Sequence, residues 1–165
     1  PERRKLRPIE GERQMSGLID AAARAWIGRS QPPVTVEVSR RDIQKYAVAT
    51  EQRQARYLNG DEAPPMFLFG LLRPVAPLDP LGPDGIAQDS FLPELPLKRI
   101  MAGGTKLTYH RPIRPGDILV ATRTLADIQE KQGGTGPLIF LTYQLRVETQ
   151  DGELVVEETA TRIVR

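Results

Sequence analysis

The chain has 165 residues, a formal net charge of +2, and 39% hydrophobic against 27% charged residues, which fits one soluble globular domain large enough for a real core. No apolar run approaches the ~20 residues that cross a bilayer, and the basic start, Pro1 to Arg7, lacks the apolar core and small-residue cleavage site of a signal peptide. Cysteine is absent, which rules out disulfides, thiolate catalysis and cysteine-ligated zinc and accords with a cytoplasmic location.

Met15, Leu18, Ile19, Ala22, Ala23, Trp26 and Ile27 recur at helical spacing and predict a helix from Glu12 to Ile27. It forms an N-terminal extension over residues 1–30 of a single domain spanning 1–165. Pro32-Pro33 end it, because proline offers no amide hydrogen and restricts the residue before it. Val34, Val36 and Val38 alternate with Thr35 and Glu37 as a half-buried strand. Ser39 then caps a short helix whose inner face is Ile43, Tyr46, Ala47 and Thr50, with Asp42 favouring its positive end. From Gln52 to Ala63 the chain is polar and without period. After Pro64-Pro65 the apolar run Met66 to Leu72 allows two turns of helix, and Pro74, Pro77, Pro80 and Pro83 allow no more. The stretch on to Pro93 and Pro96 reads as an irregular loop, long enough to imply function or disorder.

The last third reads as strands: Lys106–Arg111, Ile118–Ala126, Leu138–Glu148 and Leu154–Val164. Gly133-Gly134 and Gly136-Pro137 mark one turn, and Asp151-Gly152 is the strongest hairpin signal in the chain. Ile139, Leu141, Tyr143, Leu145 and Val147 share a face. The expected class is α+β, an antiparallel sheet packed on helices.

The residues exclude several chemistries. The arginines are scattered, with small concentrations at Arg3-Arg4, Arg40-Arg41 and Arg111/Arg114, and the few aromatics are not interleaved with them as a single-strand reader requires. A phosphate-bearing substrate stays open. With His110 the lone histidine and no cysteine, a zinc or iron site has no ligand set. No glycine-rich loop leads from a strand into a helix, so neither a dinucleotide fold nor a P-loop is present.

Two stretches carry a resemblance. Gly103-Gly104 through Tyr109-His110-Arg111-Pro112-Ile113-Arg114-Pro115-Gly116-Asp117 resembles the G-x-x-x-x-y-x-R-P-v-x-x-G-D segment of MaoC-like hot-dog proteins, in particular their dehydratase N-terminal-domain branch. The order Glu130-Lys131, Gly133, Gly136 to Phe140, Asp151 to Val155 and Thr159 to Arg165 is similar to the long hairpin that closes such domains. Together they cover about Val34 to Arg165. On chemistry alone, Arg111, Arg114 and Asp117 belong to a stiff turn, and His110 sits on a strand out of phase with Leu107 and Tyr109, a structural or surface position.

The resemblance implies a hot-dog fold, a sheet wrapped around a shortened central helix over Pro65–Leu72, and a test of activity. Hydratases of the family carry T-G-D-x-N-P-x-H after the first helix, where the aspartate and histidine manage the water and protons of enoyl-thioester hydration. Tyr46-Ala47 sets the register here. Thr50 matches; Gln52 stands for the aspartate, Gln54 for the asparagine, Ala55 for the proline and Tyr57 for the histidine. An amide is no base, and tyrosine as a type titrates near ~10. Glu51 is one residue away from rescuing the pair. The resemblance therefore implies a non-catalytic half of a heteromeric enoyl-CoA hydratase. It would shape the pocket for a bulky or long acyl group through Tyr57, Met66, Phe67 and Phe69, and meet coenzyme A, the carrier of the substrate, through Arg111 and Arg114. No further cofactor is implied. The implied partner is a MaoC-like catalytic subunit, in a heterodimer or heterotetramer. Two other readings stay open: a self-sufficient dehydratase or thioesterase using Glu51, His110 or Asp117, and a scaffold that docks a hydratase to a pathway partner.

Overall fold

In a computed structural model, which describes residues 17–73, 81 and 91–165, the last third of the chain is an antiparallel meander. It is built from β3 (Ile118–Gly133), β4 (Gly136–Thr149) and β5 (Leu154–Val164). β1 (Val34–Glu37) adds to β3, and β2 (Ile100–Tyr109) adds to β5, giving one five-stranded sheet in the order β1-β3-β4-β5-β2. Every pairing is antiparallel. Both expected hairpins form: β3 and β4 close at Gly133↔Gly136. At Asp151-Gly152 the Gly152 amide donates to the Thr149 carbonyl at 3.0 Å, with Gly152 at φ 85° as the turn requires. Among the described residues no helix is long and apolar enough to cross a membrane.

Several strands run longer than alternation predicts. β3 continues to Gly133 because a bulge between Leu125 and Asp127 shifts the face by one residue, so Leu125 and Ile128 both point inward. β2 starts at Ile100; it is an edge strand exposed on nearly its whole length, with a bulge between Ala102 and Gly104, and it shows no apolar alternation to read.

The helices are short. Ser39 caps α2 (Arg40–Ala49) as expected, its Oγ accepting from the Asp42 amide at 3.0 Å, a contact that contributes about 1 kcal/mol. Ile43 and Ala47 are its fully buried face. The helix expected from Glu12 to Ile27 is a correction: its described part contains only α1 (Ala21–Arg24). Asp20 caps it by accepting from the Ala23 amide at 2.7 Å. The chain then turns, and the Gly28 amide leaves the helix to donate to the Leu125 carbonyl at 2.8 Å. The segment read as unperiodic holds α3 (Ala55–Leu58), and the apolar run holds α4 (Phe67–Leu71). Residues 91–99 have no regular structure, as expected. The first turns of the expected N-terminal helix and the proline-dense stretch from Pro74 to Pro83, Leu81 apart, lie outside the described residues.

Two apolar clusters share the sheet's inner face. In one, Leu119, Ala121, Val147 and Val156 pack with Val38, Ile43, Ile113 and the α4 residues Phe67 and Leu68. In the other, Leu125, Ile128, Ile139, Leu141, Tyr143 and Val164 are covered by Ile19, Ala23, Phe91 and Leu95. Each such side chain contributes roughly 1.5–3 kcal/mol by burial. The short α4 therefore covers one half of the sheet, and the segments around α1 and Phe91–Leu95 cover the other.

Candidate functional site

The segment that carries the hydratase motif in related proteins keeps a well-defined backbone here. α2 ends in a left-handed cap at Glu51, φ 54°. The Gln52 amide donates to the Ala47 carbonyl at 2.9 Å and the Glu51 amide to Val48 at 3.1 Å. This paired closure normally places glycine at the left-handed position, and the motif's glycine aligns with Glu51. Gln54 follows as the N-cap of α3, where the motif has asparagine, and Ala55 as its first residue, where the motif has proline. The register set by Tyr46-Ala47 is thereby supported independently by geometry. Glu51 is the helix-closing residue, exposed to solvent.

The side chains at the motif's functional positions are bound to neighbours. Gln52 reaches Thr50 through long contacts, 3.4 Å to Oγ1 and 3.5 Å to the carbonyl. Tyr57 is buried, 6% exposed, and its hydroxyl accepts from the Arg56 guanidinium at 2.9 Å. Arg56 also lies 4.7 Å from the Tyr57 ring centroid, donates from Nε to Gln54 Oε1 at 2.9 Å, and meets Glu62 at 3.5 Å. Sequence reasoning missed Arg56, because nothing in the sequence sets it apart from a surface arginine. The result is a set of polar contacts around the Tyr57 ring in which Arg56 and Gln54 stay exposed to solvent.

α4 divides the residues assigned to the acyl pocket. Met66, its N-cap, has φ 65°, and its amide donates to the Tyr109 hydroxyl at 3.2 Å. Phe67 is core, meeting Tyr46 edge-on with centroids 5.6 Å apart. Phe69 is 55% exposed, with the Arg73 guanidinium 4.4 Å from its ring centroid. Phe67 and Phe69 were both expected nearest the acyl space; Phe67 is buried in the core and Phe69 is exposed.

The Arg111–Asp117 turn is held by its charges. Arg111 Nη1 and Nη2 donate to the two Asp117 oxygens at 2.9 and 3.2 Å, Nη1 also to the Pro112 carbonyl, and Nε to Glu153 at 3.0 Å. The Arg114 amide donates to Asp117 at 2.8 Å. Burial alone would raise the Asp117 carboxyl, but these hydrogen bonds and the arginine charges outweigh it and hold it below its ordinary value. The open cleft beside the turn, about 350 Å³, is lined by Arg111 together with Asp117, Asp151 and Glu153, a poor surround for phosphates. Arg111 thus braces the turn, whereas the Arg114 side chain is exposed. His110 lies on the surface with Nε2 2.8 Å from Glu157.

A family model described as FAS1-like, dehydratase domain region, matches residues 25–158. Mesaconyl-C(4)-CoA hydratase of Chloroflexus aurantiacus is 27% identical over 135 residues, 81% of this chain and 48% of its own, so the chain spans about half the length of that relative. A UPF0336 protein of Streptomyces avermitilis is 32% identical over 156 residues, covering 88% of this chain and 96% of its own. Among solved structures, the C-terminally truncated HadBC (3R-hydroxyacyl-ACP dehydratase) complex of Mycobacterium tuberculosis has a TM-score of 0.61 at 18% identity over 84% of this chain and 96% of that one, a likeness of fold. With the α+β hot-dog architecture and a family match over most of its length, the chain belongs to the FAS1-like dehydratase-region family of hot-dog hydratases and dehydratases.

Proposed function

We propose that this chain is the non-catalytic, pocket-forming partner in a two-part enoyl-CoA hydratase or dehydratase. One observation carries the reading. The backbone of the hydratase motif is intact from Thr50 to Tyr57, yet its acid/base positions hold Gln52 and a Tyr57 engaged by Arg56. A matching MaoC-like catalytic subunit supplies the aspartate and histidine.

Three further features support a second half. A hydratase relative is about twice as long as the aligned part of this chain. A structural relative is a complex, HadBC. Among the described residues the ten-residue β2 is an edge of the sheet with nearly every side chain exposed, and such an edge is a template on which another chain can pair. On this reading the acyl thioester rides on coenzyme A, Arg114 is the cation offered to its phosphates, and Met66 and Phe69 on the exposed side of α4 face the bulky or long acyl group.

The test is hydration of crotonyl-CoA and a long-chain enoyl-CoA by the purified chain, by its cognate MaoC-like subunit, and by both together. Activity that needs the partner and gains on the long substrate when this chain is added supports the proposal. Full turnover by this chain alone would sink it, and a partner equally active on both substrates without it would reduce the chain to a scaffold.

A further inference from the structure

Both apolar clusters lie on one face of the sheet, and the opposite face has a pattern of its own at one end. Along β4, Ile139 and Leu141 are fully buried, so the two-residue period of a strand turns Phe140 outward. The registers Gln129↔Phe140, Phe140↔Ile163 and Met101↔Ile163 put Phe140, Ile163 and Met101 in one outer row across four strands. Phe140 and Ile163 are half-buried and Met101 is exposed. The row is low on the β2 side, because Gly103 carries no side chain where a Cβ would meet Ile163 at 3.0 Å.

Two residues further on, the same face carries a row of cations: Lys131 on β3, Arg165 just after β5 and Arg99 just before β2, all exposed. Arg99 and Arg165 exchange both backbone hydrogen bonds, at 3.0 and 2.9 Å, the pairing that sets two residues directly opposite with their side chains on one face. Like charges so placed repel and cost stability. Lys131 leans back over Phe140, its ammonium 4.7 Å from the ring centroid. Among the described residues none of the three forms an ion pair. Glu130, next to Lys131, is turned to the inner face, where it accepts the Leu18 amide at 2.8 Å.

Cations without carboxylate partners beside an apolar row call for an anion with an apolar flank, and the dimensions select its form. The two rows are about 7 Å apart and span about 14 Å across four strands, the width of one helix and the length of about ten helical residues. The next rows along the face, Asp127–Thr142–Thr161 and Thr124–Gln144–Thr159, are polar. Beyond them Arg146 is already paired with Glu148 and Glu157. A second copy of the sheet laid on this face would bury those groups; a single helix covers the two end rows alone.

We propose that this end of the outer face docks an acidic amphipathic helix of a partner protein, its apolar side on Phe140, Ile163 and Met101 and its carboxylates on Arg99, Arg165 and Lys131. The site lies on the opposite face of the sheet from α4 and stands apart from the acyl-pocket reading.

The probe is a synthetic helical peptide of about 14 residues, leucines along one side and glutamates beside them, titrated into the full chain by calorimetry. A peptide with lysine at each glutamate position is the control. The acidic peptide should bind about tenfold tighter than the control, by a margin that shrinks as salt rises. Arg165→Glu turns the repelling pair into an attracting one, so Tm of the free chain should rise while affinity for the acidic peptide falls about tenfold. Met101→Ser should weaken that affinity about threefold by removing part of the apolar row. Equal affinity for the two peptides, or an acidic-peptide affinity unchanged in either variant, overturns the proposal. A fall of both Tm and affinity in Arg165→Glu makes the pair a structural one and overturns it too. Binding of phosphatidylglycerol vesicles or of free coenzyme A without binding of the acidic peptide assigns the cations to a lipid surface or a nucleotide instead. Self-association that Arg165→Glu abolishes assigns the face to a second copy, against the proposal.

Discussion

The Arg111–Asp117 turn and the Arg123–Glu158 row each place an arginine beside a half-buried carboxylate, and the two behave oppositely. In the turn, a bidentate pair, a backbone amide and a second carboxylate satisfy every party, and Asp117 is driven down. In the row Arg123↔Leu145↔Glu158 across β3, β4 and β5, the acid sits two strands from its arginine, has no hydrogen bond to another described residue and is driven up. Proximity of charge is common to both. What separates a brace from an open group is completed hydrogen bonding.

The largest effect should come from breaking the completed pair. Arg111→Ala strands Asp117 with most of its surface covered, and about 2–3 kcal/mol of stability should go, toward the lower end of the cost of orphaning a buried charge. Urea denaturation measures this, and a loss under 1 kcal/mol would put the turn's strength in its prolines instead. The same closed-versus-open contrast recurs within α4. Phe67→Leu should cost about 1 kcal/mol by loosening the contact with Tyr46, whereas exposed Phe69→Leu should leave stability unchanged and shift the long-to-short kcat/KM ratio of the assembled complex. If the two variants behave alike, α4 has no pocket side.

Strain gives a gain of similar size. Glu51 holds a left-handed conformation that glycine adopts freely, so Glu51→Gly should stabilise by about 1 kcal/mol without altering activity, read as a rise in Tm. The smallest effects are in pH dependence, and their signs differ. Asp117 has a depressed folded pKa, so its contribution is present above the ordinary carboxylate range and is lost as pH falls through the folded value. Glu158 has a raised one, so its cost is absent in acid and appears as pH rises from the ordinary range through the folded value. Against the wild type, Asp117→Asn should therefore lose stability chiefly at neutral pH, and Glu158→Gln should gain it there. Equal slopes in Tm-against-pH curves for the two variants would contradict the contrast.

The sequence announces those parts whose signals are local. Leu154–Val164 matches β5 end for end, Ser39 caps where expected, and Asp151-Gly152 turns where expected, because each depends on a few adjacent residues. The β3 bulge hid the far half of that strand by breaking its alternation, and the N-terminal periodicity overran because Asp20 caps from inside the run. In the site, the exchanged residues Gln52 and Tyr57 are legible from the register alone. Arg56 closing over Tyr57 is not, since an arginine beside a buried ring looks like any surface arginine. Nor is the alignment of Arg123 with Glu158, which only the pairing of β3, β4 and β5 brings into one row.

The order of strands has a kinetic consequence. β3, β4 and β5 are contiguous and joined by tight turns, while β1 docks on one outer edge from much earlier in the chain and β2 reaches past the whole meander to dock on β5 at the other. Contacts of short sequence separation close with the least loss of chain entropy, so the meander is expected to form first and the edges to arrive afterwards. Leu141→Ala, in the central strand, should then slow refolding, and Val36→Ala, in the edge strand, should mainly hasten unfolding; stopped-flow chevrons separate the two. During synthesis the apolar faces of α2 and α4 have no sheet to rest on until the meander is made, which leaves the first half of this chain dependent on its last third.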